Sequence, residues 1–410
     1  MSNGTFFVVS DLPEEDLPRR EFIISSNFSY DNFDMRSRYP TDRNIQYISP
    51  KDAAERWSGG IWMIKGNTFI FHYPPVTLLA HYYHACAETF LGAWRFWTGT
   101  FDPVVSRTGD TTAPPIDRII FTYNGASEWR DKPGLNAYFL SSAWPSASIE
   151  EKAQWADRTY MTRHGDKAWV YENVLLNDRG AASRGPVVYP KERKIAAEAF
   201  EATVETSSPY WWEPVRRSVL AFSGVDQKTL DFALRSSEES ASEPPVTVIT
   251  YISRQGAYHR KLRAEDHAEL VRELEHLCET KKWEFNVVEA QNFSPEEQLR
   301  LFARTTILLG VHGNGLTHML FMPPIAHATV IEMFYPGGLT YDYEWPARRA
   351  FGFKHFVVWN DTSHTYPHPP HVKHNVPKGV NGDGGFQGNN IPVYARTVID
   401  IIKGRLEGRM

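Results

Sequence analysis

The residues best suited to chemistry cluster in one stretch, Gly310-Val311-His312-Gly313-Asn314-Gly315, and in three residues outside it, Arg254, Arg260 and Glu332. Glycines carry no Cβ, so backbone N–H groups among them can come close to an anion. A helix starting there would aim its partly positive end at the same point. His312 adds a side-chain donor beside Gly313, Asn314 and Gly315. Arg254, with Arg260 behind it, could grip a phosphate through two parallel N–H bonds, which a lysine cannot match. Glu332 could accept hydrogen bonds from ribose hydroxyls. Together these residues describe a pocket for a nucleotide diphosphate, whereas the glycines alone would make no more than a tight turn. A second pair, His84 and Glu88, lies four residues apart, so on a helix both project from one face. Such a pair could take a proton from a hydroxyl, or could be an ordinary polar pair on an amphipathic helix.

The surrounding sequence supplies elements to hold these groups. Ile307-Leu308-Leu309 reads as a short buried strand, and Leu316, Met319, Leu320 and Met322 as one face of a short helix stopped by Pro323-Pro324. Ala328 to Ile331 is the next strand, leaving Glu332 at its carboxyl end. Upstream, the β-branched run Val246 to Ile252 suits a strand buried on both faces, with Ser253-Arg254 at its end. A helix over 265–280, a strand over 283–288 and a helix over 295–303 capped by Ser294 and Glu297 complete a βαβαβ half of a doubly wound sheet. In such sheets ligands bind beyond the carboxyl ends of the strands, which is where Arg254, the glycine turn and Glu332 fall. Earlier in the chain, 61–64 and 68–71 read as a hairpin around Lys65-Gly66-Asn67, 76–97 as a helix, and 118–123 and 168–176 as strands. His81, His164 and Trp144 are weaker candidates near an acceptor.

The run Gly-Val-His-Gly-Asn-Gly-Leu-Thr-His-Met-Leu-Phe-Met-Pro-Pro from Gly310, followed by Val330-Ile331-Glu332-Met333, resembles the signature of glycosyltransferase family 61. The resemblance extends upstream through Ile249 to Arg254 and Phe293 to Leu301, with an island at His84 to Glu88. It implies an α/β, GT-B-like fold of two Rossmann-like doubly wound domains facing across a cleft. By that resemblance residues 1–215 form an acceptor-binding domain with an N-terminal arm, 216–390 a nucleotide-sugar-binding domain, and 391–410 a helix crossing back to the first domain. The implied activity is inverting transfer of a sugar, xylose or N-acetylglucosamine, from a UDP-sugar to a hydroxyl of a glycan or glycoprotein. Family members carry a His followed four residues later by an acidic residue in the segment thought to supply the base, so Glu88 is the first candidate and His84 the second. Arg254, Arg260, His312, Gly313, Asn314, Gly315 and Glu332 would bind the donor. No metal site is expected: Asp-X-Asp is absent, Asp342-Tyr343-Glu344 is a poor substitute, and arginines with a helix end can replace a metal electrostatically. No cofactor beyond the UDP-sugar is expected. A non-catalytic nucleotide-sugar-binding protein is the alternative, and it would keep Arg254, His312 and Glu332 without depending on Glu88. A hydrolase using the glycine turn as an oxyanion hole would need Gly-X-Ser-X-Gly, which does not occur.

Length and composition fit this reading. A chain of 410 residues exceeds what one core usually serves. A net charge of -5 argues against a nucleic-acid partner. With only Cys86 and Cys278, no disulfide framework is expected. No stretch of about 18 apolar residues is available to span a membrane. The expected location is the Golgi or ER lumen if an N-terminal anchor has been removed, and the cytoplasm otherwise.

Overall fold

The computed structural model describes residues 1–26, 38–73, 77–185, 196–235, 246–368 and 387–410. The polar, acidic stretch 236–245, which reads in the sequence as a Pro-ended linker, lies outside these residues, and so does the part beyond 368 of a His- and Pro-rich tract that reads as an exposed loop. Two units divide the chain, Met1–Val215 and Arg216–Met410.

In the first unit β1 (Phe6–Val9) and β2 (Ile45–Ile48) pair in parallel, so the region before Gly60 is more than an extended arm. The main sheet comprises β3 (Gly60–Phe71), β4 (Arg118–Phe121), β5 (Ser148–Glu150) and β6 (Lys167–Asn177), all parallel, in the order β5-β4-β3-β6. Thr68 through Phe71 have no exposed surface, as expected for a central strand covered on both faces. The expected hairpin is instead this single strand. Between Ile64 and Asn67 its register against β6 slips, and Gly66, at φ +84°, takes the left-handed conformation there. Lys65-Gly66-Asn67 is therefore a bulge, which bends a strand without reversing it. The expected long helix is also broken up, into a 3₁₀ turn Thr77–Ala80, a π-helix Tyr83–Phe90 and an α-helix Leu91–Phe101.

The second unit holds β7 (Val248–Ile252), β8 (Glu284–Val288), β9 (Ile307–Val311), β10 (Thr329–Met333), β11 (Lys354–Trp359) and β12 (Thr362–His364). Their order is β12-β11-β10-β9-β7-β8, parallel except for β12. Read from β8, the five parallel strands run second, first, third, fourth, fifth. That order reverses direction between β7 and β9, and the crevice at a doubly wound sheet's carboxyl edge opens at such a reversal. Helix Ala264–Lys281 buries Leu270, Leu274 and Leu277 against this sheet, in one cluster with Ile249, Leu309 and Ile331. The terminal helix Ala395–Leu406 places Val398, Ile399, Ile401 and Ile402 in the same cluster. The helix expected to return to the first half thus contributes to the core of the second. Among the described residues no helix is long and apolar enough to cross a membrane.

Candidate functional site

The reversal between β7 and β9 brings the expected donor residues together. Arg254 follows β7 by one residue beyond Ser253, and His312 follows β9 directly. The turn's glycines serve close approach. A Cβ on Gly313 would lie 2.5 Å from a guanidinium nitrogen of Arg254, and one on Gly315 would lie 3.1 Å from Ile252 Cγ2 at the end of β7. Asn314 and Gly315 open the expected short helix, which is a 3₁₀ helix, Asn314–Phe321. Its buried His318 stacks on Phe302 and donates from Nδ1 to the Gly315 carbonyl at 3.0 Å, and burial pushes its pKa down to about 4. The second histidine of the motif is thus a neutral part of the core.

Arg260 joins Arg254 from the same loop. It sits at φ +61°, a left-handed conformation unfavourable for a residue with a side chain, and donates to the His312 carbonyl at 3.2 Å. Arg254 donates to the His259 carbonyl at 3.2 Å. Both side chains are half-buried, each Nε is buried without a hydrogen-bond partner, and among the described residues neither guanidinium has a carboxylate within 4.0 Å. Burial, and then the positive charge of Arg260, bring the pKa of Arg254 down to about 10. Burial lowers that of Arg260 as well, opposed by Tyr343, Asp342 and Glu332. Two adjoining cations with no carboxylate within ion-pair distance, and only the more distant charges of Asp342 and Glu332 acting on Arg260, leave room for an anion.

Glu332 occupies a different place from the one expected. The sequence reading ends its strand at Ile331, leaving the carboxylate in the crevice, but β10 continues through Met333 and pairs Glu332 with Gly310 and Val357. Its side chain has no exposed surface. One oxygen lies 2.5 Å from His312 Nδ1 and the other 2.9 Å from Nε2 of His355 on β11. With no exposed oxygen, it does not present itself to a ribose. The His312 ring stacks on Phe334, and its Nε2 lies 3.7 Å from Asp342.

In the first unit, the carboxyl ends of β3 and β6 and the π-helix carry a second polar cluster. His84 Nδ1 lies 2.6 Å from Glu88 Oε2, and Arg179, just past β6, donates to the same oxygen at 2.5 Å. Glu88 is only 2% exposed, whereas the His84 side chain retains 24% of its surface. Burial opposes the charge on Arg179, yet Glu88 beside it holds the guanidinium pKa above its ordinary value. Within the pair the histidine is the accessible member, and the carboxylate also pairs with Arg179. Asp178 accepts from His72 at 2.8 Å, from Ser25 N at 3.0 Å and from Ala181 N at 2.8 Å, fixing the backbone that carries Arg179. The exposed His81 ring lies 5.0 Å from that of His84. Trp144 is core, packed on Phe69, Phe90 and Trp94, and His164 is exposed on the surface.

Sequence reasoning missed Arg179, Asp178, His72 and His355. The only signal for the first two was the polar Asn177-Asp178-Arg179-Gly180 directly after an apolar strand, a position at which parallel sheets place functional groups.

A family model described as Glycosyltransferase 61 matches residues 106–331, more than half of the 410. The matched span includes Arg179, Arg254, Arg260 and the glycine turn and ends one residue before Glu332, while His84 and Glu88 precede it. No curated protein matches the chain.

Proposed function

The chain belongs to glycosyltransferase family 61 and is a glycosyltransferase, and we propose that it moves xylose or N-acetylglucosamine from a UDP-sugar to a hydroxyl of a glycan or glycoprotein, with inversion. The two units are read as the two Rossmann-like domains of a GT-B enzyme, residues 216–390 binding the donor and 1–215 the acceptor. A lumenal setting, in the Golgi or ER, belongs to the same proposal.

One observation carries this reading. Arg254 and Arg260 are half-buried, lack a carboxylate partner among the described residues, and adjoin Gly313 at the sheet's reversal point. Two half-buried cations with no carboxylate in ion-pair contact are costly to maintain unless an anion completes them, and a diphosphate has the charge and the planar oxygen pairs that arginine forks match.

The chemistry follows from charge. As the acceptor oxygen bonds to the anomeric carbon, the carbon–oxygen bond to the diphosphate breaks and its electron pair passes to the β-phosphate. Arg254, Arg260 and His312 stabilise that charge, the role a metal fills in other transferases, so transfer is proposed to be metal-independent. His84 takes the acceptor proton, and Glu88 orients the ring through Nδ1. Thermal melts against UDP- and GDP-sugars, with and without EDTA, test this reading, because a ligand that binds the folded state raises its melting point. A UDP-sugar is expected to stabilise the protein in both conditions. Stabilisation by none of them, or only with a divalent metal present, would contradict the donor or metal-independent part respectively.

A further inference from the structure

The groups behind His312 form a continuous buried line. Glu332 lies on β10 with Gly310 of β9 as its register partner, so no side chain on that neighbouring strand crowds the carboxylate. His355 stands on β11 opposite Val330, two residues before Val357, the β11 partner of Glu332, and so faces the same side of the sheet. His355 is 4% exposed, and burial, opposed by Glu344, brings its pKa down to about 4. At neutral pH it is therefore an uncharged donor whose Nε2–H points at Glu332. The carboxylate then accepts at both oxygens, from His355 at 2.9 Å and from His312 Nδ1 at 2.5 Å. Phe334 stacks on the His312 ring at 5.3 Å and 19°, which fixes the plane in which it can turn. With plane and Nδ1 both fixed, Nε2 has one direction left. It faces the side of the turn where Asp342 lies 3.7 Å away and Arg260 holds the His312 carbonyl.

We propose that Glu332 and His355 are positioning residues, a buried relay that holds the Nδ1–H of His312 in a hydrogen bond to Glu332 so that its Nε2 is aimed at the departing diphosphate. This rests on the donor reading given above. When the bond to the anomeric carbon breaks, its electron pair goes to the β-phosphate oxygen, and His312, carrying a proton on each ring nitrogen in the donor complex, donates from Nε2 to that oxygen while Nδ1 donates to Glu332. The relay loses no proton and makes no bond to substrate. A carboxylate serving only to stabilise the core would satisfy the same two histidines but would have no reason to affect turnover more than binding.

The test combines a spectroscopic and a kinetic readout on the full chain. In protein labelled with ¹⁵N-histidine, and assigned with His312→Asn, His312 is expected to show a protonated Nδ1 whose proton lies far downfield. Glu332→Gln is expected to erase that signal. It should lower UDP release from UDP-xylose or UDP-N-acetylglucosamine on the order of a hundredfold in kcat, as for one misaligned donor to developing charge, with UDP affinity changed less than about threefold. His355→Gln, which keeps a donor, should retain more activity and more of the Nδ1 signal than His355→Ala, and this pair decides the question if Glu332→Gln does not fold. The proposal is overturned if parent His312 carries its proton on Nε2 alone, if Glu332→Gln folds with kcat intact, or if His355→Ala and His355→Gln behave alike. Failure of the parent protein to bind any nucleotide sugar would instead sink the donor reading, and the histidine signals would still decide whether the relay exists.

Discussion

A methyl carbon on Gly313 would stand 2.5 Å from a terminal nitrogen of Arg254 and 3.1 Å from its Cζ, so the turn and the guanidinium fit only because that position has no side chain. Gly313 has an extended backbone that any residue adopts, so the constraint is space and not conformation. Gly313→Ala is therefore expected to fold and to push Arg254 away from the anion seat. Losing a hydrogen bond to a charged group costs about 1.5–3 kcal/mol, or roughly a tenfold to hundredfold weaker UDP affinity, read by calorimetric titration. Unchanged affinity would show that Arg254 does not touch the nucleotide.

The same arginines should lower the stability of the ligand-free protein. Both guanidinium pKa values are lowered, by burial in each case and at Arg254 also by Arg260, which marks charges that folding compensates only in part. Replacing such a group with an apolar chain of similar length often stabilises, here by about 1 kcal/mol after allowance for solvent at a half-exposed site. Arg254→Met and Arg260→Met are expected to melt at a higher temperature than the parent without ligand. Both should also lose the rise that UDP produces in the parent. A lower melting point would mean the arginines are packed for structure.

Much of the second unit was legible because strands buried on both faces leave unbroken apolar runs, as at Val248–Ile252 and Ile307–Val311. Arg254 and the glycine turn could be matched because a doubly wound order brings the first and third strands side by side. Glu332 could not be placed, because facing inward or toward the crevice depends on whether β10 stops at Ile331 or continues to Met333, a difference local sequence does not encode. His355 was invisible for a related reason: its partner is set by the register of β10 against β11. In the first unit Lys65-Gly66-Asn67 has the composition of a turn, and only pairing along the whole of β6 makes it a bulge. Arg179 stands just past the strand read over 168–176, in a stretch to which the sequence reading assigned no element.

His84 and Glu88 respond differently to substitution. Removing the imidazole leaves Glu88 paired with Arg179, so His84→Ala should fold and bind UDP like the parent. Its transfer rate is expected to fall on the order of a hundredfold or more, the usual contribution of a positioned base. Glu88→Ala strands Arg179, and breaking a buried pair from one side costs about 3–5 kcal/mol, so this variant should melt earlier as well as turn over slowly. Measuring melting point and turnover on both variants separates the roles. Full transfer by His84→Ala would return the base to another residue.

Acid should weaken the protein through His318. Its pKa of about 4 when folded lies below the ordinary value of 6.5, so between these the unfolded chain binds more protons. Its contribution is complete above pH 6.5 and is lost as pH falls toward 4. The slope from this ring is at most about 1.4 kcal/mol per pH unit. Urea denaturation across that window should show stability falling with pH, and His318→Phe, which keeps the stacking on Phe302, should flatten the curve by about one proton. An unaltered slope would show that the ring is not held neutral.

Asp342 places a negative charge where the donor's would go. Its Oδ2 lies 3.7 Å from His312 Nε2, Thr340 donates to it at 3.2 Å, and its charge acts on Arg260. Two like charges at about 4 Å in a partly screened site repel by roughly 1–4 kcal/mol, so a diphosphate entering this seat must displace the carboxylate or bear the repulsion. Asp342→Asn keeps the shape and removes the charge. It is expected to tighten UDP binding on the order of tenfold at low ionic strength, and by less in high salt, where the repulsion is screened. Calorimetric titration at both ionic strengths reads this directly. Weaker binding by Asp342→Asn would instead make the carboxylate a contact for the nucleotide, since removing a repulsive neighbour cannot lower affinity.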